Sequence, residues 1–230
     1  MVSAARRTDR DSPTIVISNQ SRVTDTEVRR VVAAIQKQVD RDFFPLWGWR
    51  AKLVLGPRRR KGAMHIILRN SSHDGYAGYH LINGVPEAEV FTHAANRTPL
   101  ADWQPTLSHE VLEMIADPGV NLYARGHVRY RGHRHVGLVA YEVCDPVQAN
   151  LYRIDGVQVS DFVTPEWFEP ERKRGSLKFS YRESVKAPFA LADGGYIEAY
   201  LGRKLVTVWG NPERQKERRY RKTIRAARLA

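Results

Sequence analysis

Ser108-His109-Glu110-Val111-Leu112-Glu113-Met114-Ile115-Ala116-Asp117-Pro118 carries a histidine and a glutamate four positions apart, with a second glutamate directly after the histidine. Leu107, Val111, Leu112 and Ile115 recur at helical spacing, and Pro105 suits a first helical turn, with Asp102 or Thr106 as the cap. Asp117-Pro118-Gly119 ends the helix, because a residue before proline avoids the helical region and glycine releases the chain. On such a helix His109 and Glu113 share one face a turn apart and can grip one metal ion from a rigid element. Glu110 points to the side, within reach of a water on that ion. The spacing therefore nominates His109 and Glu113 as metal ligands and Glu110 as a general base. An unengaged helix histidine with two solvated glutamates is the plainer alternative.

Outward from this helix, Thr14–Ser18 reads as a β-branched strand, and Thr24–Asp40 as an amphipathic helix with Val28, Val31, Val32 and Ile35 on its apolar side. Phe43–Trp49 reads as an aromatic connector broken by proline. Ala51–Leu55 and Ala63–Arg69 are predicted strands around the basic turn Arg58-Arg59-Arg60-Lys61. Asn70–Gly78 is a predicted loop, and Glu87–His93 a strand. Beyond the central helix, Val128–Arg131 and Val136–Val143 form a predicted hairpin around Gly132-His133-Arg134-His135. Leu151–Ile154 and Val157–Phe162 pair across Asp155-Gly156, a strong two-residue turn. No internal repeat and no parallel βαβ rhythm is visible. The fold class read from this pattern is α+β, a mixed sheet with an active-site helix, then β-hairpins, then a basic C-terminal tail. The expected organisation is a disordered 1–12, one domain over 13–210, and a basic helical tail over 211–230.

A catalytic zinc takes three protein ligands and keeps one position for water. A ligand three residues after a glycine, itself three past the second helix ligand, is absent, since those positions are Ala116 and Gly119. A downstream carboxylate is the other common solution, and Tyr141-Glu142-Val143-Cys144-Asp145-Pro146 offers Glu142, with Cys144 on the same side of a strand as a weaker competitor. Asp117 reads better as a loop cap than as a ligand. His127, His133 and His135 read as an exposed basic hairpin, and His80 and His93 are candidates to approach the cleft without any spacing that demands it.

The helix pattern is that of the His-Glu-x-x-His zinc peptidases with Glu113 in place of the second histidine. In the order of its elements over roughly Ile15 to Pro146 the chain resembles the zincin fold of metallopeptidases, nearest to gluzincins. It also resembles a set of uncharacterised bacterial proteins with the pattern SHExxEMxxDP followed by YEVCDP. The resemblance implies a metallopeptidase that is a hydrolase of peptide or protein substrates. It implies His109, Glu113 and Glu142 as ligands of zinc or another divalent metal, Glu110 as the base, and Glu87–His93 as an edge strand that binds extended substrate. A site of one histidine and two carboxylates is harder than the usual one, so manganese, iron and calcium compete better, and the added negative charge raises the pKa of a bound water.

Hydrophobic residues make up 42% of the chain, enough for a packed core, yet no apolar run approaches a membrane span. A charged start without an apolar stretch and a single cysteine, Cys144, lead to the expectation of a cytoplasmic protein without disulfides. The net charge is +12, and residues 211–230, with eight Lys/Arg and two Glu, supply +6 of it. That tail suits a polyanion or an acidic protein partner. A metal-stabilised binding or assembly protein that uses the tail is thus the rival to the hydrolase.

Overall fold

The computed structural model describes residues 12–57, 61–71, 77–93, 103–169, 178–211 and 222–223. The fold is mixed α+β, and the chain divides into two compact units: Met1–Val120 with Arg153–Val159 and Arg219–Ala230, and Asn121–Tyr152 with Ser160–Arg218.

The first unit is built on strand β1 (Thr14–Asn19), helix α1 (Asp25–Lys37) and strands β2 (Lys52–Leu55), β3 (Met64–Arg69), β4 (Gly78–Ile82) and β5 (Pro86–Phe91). Helix α1 starts where its sequence says it should. The Thr24 side chain accepts from Glu27 N, acidic Asp25 and Glu27 sit in the first turn, and Val28, Val31, Val32, Ala34 and Ile35 are buried. Instead of ending before a connector, the chain goes on through a π-helical turn, Gln38–Phe43, and a short helix α2, Phe44–Trp47, closed by Gly48 at φ 72. Pro45 stands in the first turn of α2, where a missing N–H costs nothing, so it does not break the path as its sequence position suggests.

The six strands order as β12-β4-β5-β3-β1-β2, with β12 being Lys222–Thr223. β1 pairs in parallel with both β2 and β3, and β3 with β5, whereas β4 runs antiparallel to β5. The mixed sheet matches the expectation, but the absence of any βαβ unit does not: β1, α1 and β2 form one. β1 and β3 are buried on both faces, so their residues read as short apolar runs, while β2 is a four-residue edge strand with Lys52 exposed, too short to announce a parallel unit. Strand β4 was not anticipated, because Gly78 and His80 occupy its buried positions and neither looks like a core residue. Strand β5 lies between β4 and β3 and is an inner strand, not the edge that a zincin-like substrate strand requires.

Helix α3 spans Trp103–Ala116. It packs on β4 and β5. Thirteen of its fourteen residues are buried, so this is no half-exposed helix, and its polar residues must be satisfied inside the protein. The turn at Asp117 closes it, with Asp117 N donating to Glu113 O and Val120 N to Asp117 O.

The second unit carries β6 (Tyr123–Tyr130), β7 (His133–Ala140), β10 (Tyr196–Leu201) and β11 (Lys204–Trp209) in the antiparallel order β11-β10-β7-β6. β6 runs longer than predicted, β7 lies three residues earlier and ends at Ala140 instead of Val143, and the turn sits at Arg131-Gly132, both at positive φ, rather than around His133. A short helix α4, Pro165–Phe168, adds Trp167 and Phe168 to this unit's core, and Tyr141 stacks on Phe168 at 4.0 Å. β8 (Leu151–Ile154) and β9 (Val157–Ser160) form the expected hairpin, with Asp155 at φ 49 and Gly156 at φ 77.

The basic cluster at 58–60, the N-terminal 1–11 and the tail lie outside the described residues, except for Lys61, Asn211 and the two residues of β12. Those two pair as a strand with Tyr79 and His80, where a helix was expected. Among the described residues no helix is long and apolar enough to cross a membrane.

Candidate metal centre

Four titratable side chains meet inside the first unit: His109, Glu110 and Glu113 from α3, and His80 from β4. Each is at most 1% exposed. His80 reaches the helix because of sheet register. It pairs with Ala88 and shares a face with Gly78, which pairs with Val90, and that face is the one α3 packs on. The two small residues Gly78 and Ala88 let the helix come close. A Cβ added at Gly78 would stand 2.7 Å from Thr106 Cγ2 and 2.9 Å from Glu110 Oε1, so only glycine lets the strand pass there.

The geometry follows from this approach. His109 Nε2 lies 3.0 Å from Glu113 Oε2, as the one-turn spacing predicts. His80 Nδ1 lies 3.0 Å from Glu110 Oε2 and 3.7 Å from Glu113 Oε2. Candidate ligand atoms of His80, Glu110 and Glu113 all fall within 4.8 Å of one another. Glu110 is held at one oxygen only: Oε2 meets His80, and Oε1 has no hydrogen-bond partner among the described residues. On the far side of the helix Ser108 Oγ donates to Gln38 Oε1 at 2.7 Å, so the π-helical turn fixes the residue just before His109. π-turns of this kind widen a helix and aim a side chain that a regular turn would not.

Two carboxylates a few ångström apart, out of water, repel each other, and each ionised form is costly in a low-dielectric setting. A divalent cation would relieve that repulsion, and so would a protonated imidazole or a proton shared between the two carboxylates. The donor set fits a metal: imidazole nitrogens and carboxylate oxygens suit zinc, manganese and iron(II). Within this unit two overlapping ligand sets exist, His109 with Glu113 on the helix face, and His80 with Glu110 and Glu113 across helix and strand.

Of the residues nominated from sequence, His109, Glu110 and Glu113 stand together here. Glu142 belongs to the second unit, buried just after β7, where its N–H donates to Ala140 O at 3.0 Å; Cys144 is buried in that unit too. Asp117 is buried at the helix end, as a loop cap would be. His80 is the residue that spacing did not select. Its only sequence signal is a histidine at an inward position of a strand that begins with glycine. No family model, no curated protein and no solved structure matches this chain.

Proposed function

We propose that the first unit holds a divalent metal ion, zinc in the first instance, and that the protein is a metal-dependent hydrolase acting on peptide bonds, zincin-like in its use of one helix for ligand and base. The observation that carries this reading is the meeting of two histidines and two glutamates, none more than 1% exposed, on α3 and β4. His109 and Glu113 would hold the ion, as two of the three protein ligands that a catalytic zinc takes. When bound, the ion supplies the charge that activates water and polarises a carbonyl. Glu110 takes the proton from water and returns it to the leaving amine, the oxygen it leaves open being the one that can do so. His80 holds the other oxygen and so sets the direction in which Glu110 faces. Since β5 is an inner strand, an extended substrate does not pair with it.

Metal content of the purified protein tests this directly. The wild type should carry about one equivalent of a divalent metal, His109→Ala and Glu113→Ala should lose it, and Glu110→Gln should keep it while losing hydrolysis of casein or a peptide library. A protein free of metal that also fails to take up zinc, manganese or iron(II) sinks the proposal.

One observation favours a second reading, a binding or assembly protein with a purely structural cluster. His80 Nδ1 already lies within 4 Å of both carboxylates, at 3.0 and 3.7 Å, so a charged His80 would neutralise part of the site unaided. Under that reading the chain takes up no metal, and His80→Gln destabilises the fold as much with metal in solution as without.

A further inference from the structure

The second unit carries a different kind of charge. Partners across an antiparallel pair share a face, and the register places Tyr123, Arg125, His127, Arg129, Arg134, Val136, Leu138, Tyr200, Leu205 and Thr207 on one side of the β11-β10-β7-β6 sheet. The opposite side is core: Val128, Val139, Ala199 and Val206 are buried, and the Phe189 ring lies against Gly126. On this side Arg125, His127, Arg129 and Arg134 are exposed, and so are Val136, Leu138 and Leu205 at 51%, 42% and 42%, while Ala140 and Tyr196, which the register puts on the same side, are buried. Tyr123 and Tyr200 meet edge to face, ring centroids 5.7 Å apart, both half-buried. Glu198 is the only acidic residue that this register puts on the face among the described residues.

An ordinary solvated sheet face carries scattered polar residues of both signs. This face instead joins three arginines, exposed aliphatic side chains and a tyrosine pair, on an edge strand and its neighbours. A depression of ≈ 500 Å³ runs round that edge, lined by Arg125, His127, Arg134 and Val136 of this face and by Gly126 and Phe189 of the other. We infer that this face binds single-stranded nucleic acid. Arg125 and Arg129 stand four residues apart on β6, roughly 14 Å along the strand. Guanidiniums spread over that distance match a line of phosphates better than one compact anion. Tyrosine rings on an open sheet supply stacking platforms for bases, and the exposed aliphatic residues cover the rest of the base surface. An acidic peptide offers the charge but nothing for the rings.

The test is fluorescence anisotropy of the full chain with labelled single-stranded oligo-dT and oligo-U, each without sequence preference. The wild type should bind, with affinity falling steeply as salt rises. Arg125→Gln/Arg129→Gln/Arg134→Gln should flatten the log–log salt slope by about 2, from roughly 0.7 per phosphate contact on a single strand. Tyr123→Leu/Tyr200→Leu should weaken binding roughly tenfold at fixed salt with the slope unchanged, the signature of lost stacking. Circular dichroism and thermal melts confirm that both variants fold; Tyr200→Phe, which keeps the ring, should restore binding in the presence of Tyr123→Phe. Neutralising the Lys and Arg residues of 211–230 should leave the tyrosine effect in place. The inference is overturned if the wild type does not bind, if the arginine variant binds with an unchanged slope, if the tyrosine variant binds as tightly as the wild type, or if poly-glutamate competes as well as the oligonucleotide.

Discussion

Histidine and charged residues occur in both units and behave oppositely. Around α3 and β4 they are sealed from water, with His80, His109, Glu110 and Glu113 at most 1% exposed. On the β6–β7 hairpin, His127, Arg129 and Arg134 stand in solvent. Burial raises the stakes of each charge. An unscreened pair at 3 Å interacts many times more strongly inside a protein than in water, and an uncompensated one is correspondingly costly. The buried group therefore suits chemistry at one point, and the open group suits weak, additive recognition along a surface.

If that contrast is right, mutational effects should scale with burial. The largest effect expected is at Glu110. Glu110→Gln keeps shape and removes the base, so turnover should fall by about 10²–10⁴, the usual contribution of a positioned general base, with metal content unchanged. A steady-state assay beside elemental analysis reads both; equal turnover in parent and variant would break the reading of the site.

Asp161 gives the next effect, on stability. It is fully buried, and its carboxylate accepts from Phe162 N at 2.8 Å, Arg182 N at 3.0 Å and Ser184 Oγ at 2.6 Å. Asp161→Ala leaves those donors without their acceptor and should cost about 2–4 kcal/mol by urea denaturation. Burial pushes this carboxyl above its ordinary value of 3.8, against the pull of its hydrogen bonds. The sign follows from proton counting. With a raised folded pKa, the folded state binds more protons than the unfolded one just above pH 3.8, so Asp161 lowers stability as pH rises through that window. Asp161→Asn, which cannot titrate, should remove that slope; a slope unchanged in the variant assigns it elsewhere.

A smaller effect separates metal from ion cluster. With chelator present, Glu113→Gln removes one of two crowded buried carboxylates and should raise stability by about 1 kcal/mol. With zinc present it should lower stability, because a ligand is gone. A loss under both conditions means that the carboxylate is satisfied by protein groups alone.

The smallest effect belongs to an exposed pair. Lys37 and Asp155 form a salt bridge with side chains 59% and 57% exposed. Lys37→Met should change stability by less than about 1 kcal/mol, and less still in high salt. A loss of several kcal/mol would break the rule that burial sets the scale.

The sequence read best where the signal was local. The cap and apolar stripe of α1, the end of α3 at Ala116 and the Asp155-Gly156 turn depend on neighbours a few residues away, and each stands close to where periodicity and turn chemistry put it. It read worst where partners come from afar. β4 leaves no mark in the sequence because its inward residues are Gly78 and His80, which meet Thr106 and Glu110 of a helix distant in the chain. The hairpin of β10 and β11 follows a glycine-rich stretch that reads only as a turn. The parallel pairing of β1 with β2 and β3 leaves no mark on any one strand, since β1 and β3, covered on both faces, lose their alternation and β2 has only four residues.

By itself the sequence determined that α3 is a helix and that His109 and Glu113 share one of its faces, because a period of 3.6 residues settles both without reference to the rest of the chain. Tertiary structure alone decided that His80 joins them, that Glu110 is held at one oxygen, and that three arginines and two tyrosines share an open sheet face. Those facts depend on strand register and on the close approach allowed at Gly78. Register is a property of pairs of segments distant in the chain, and nothing in either segment taken singly contains it.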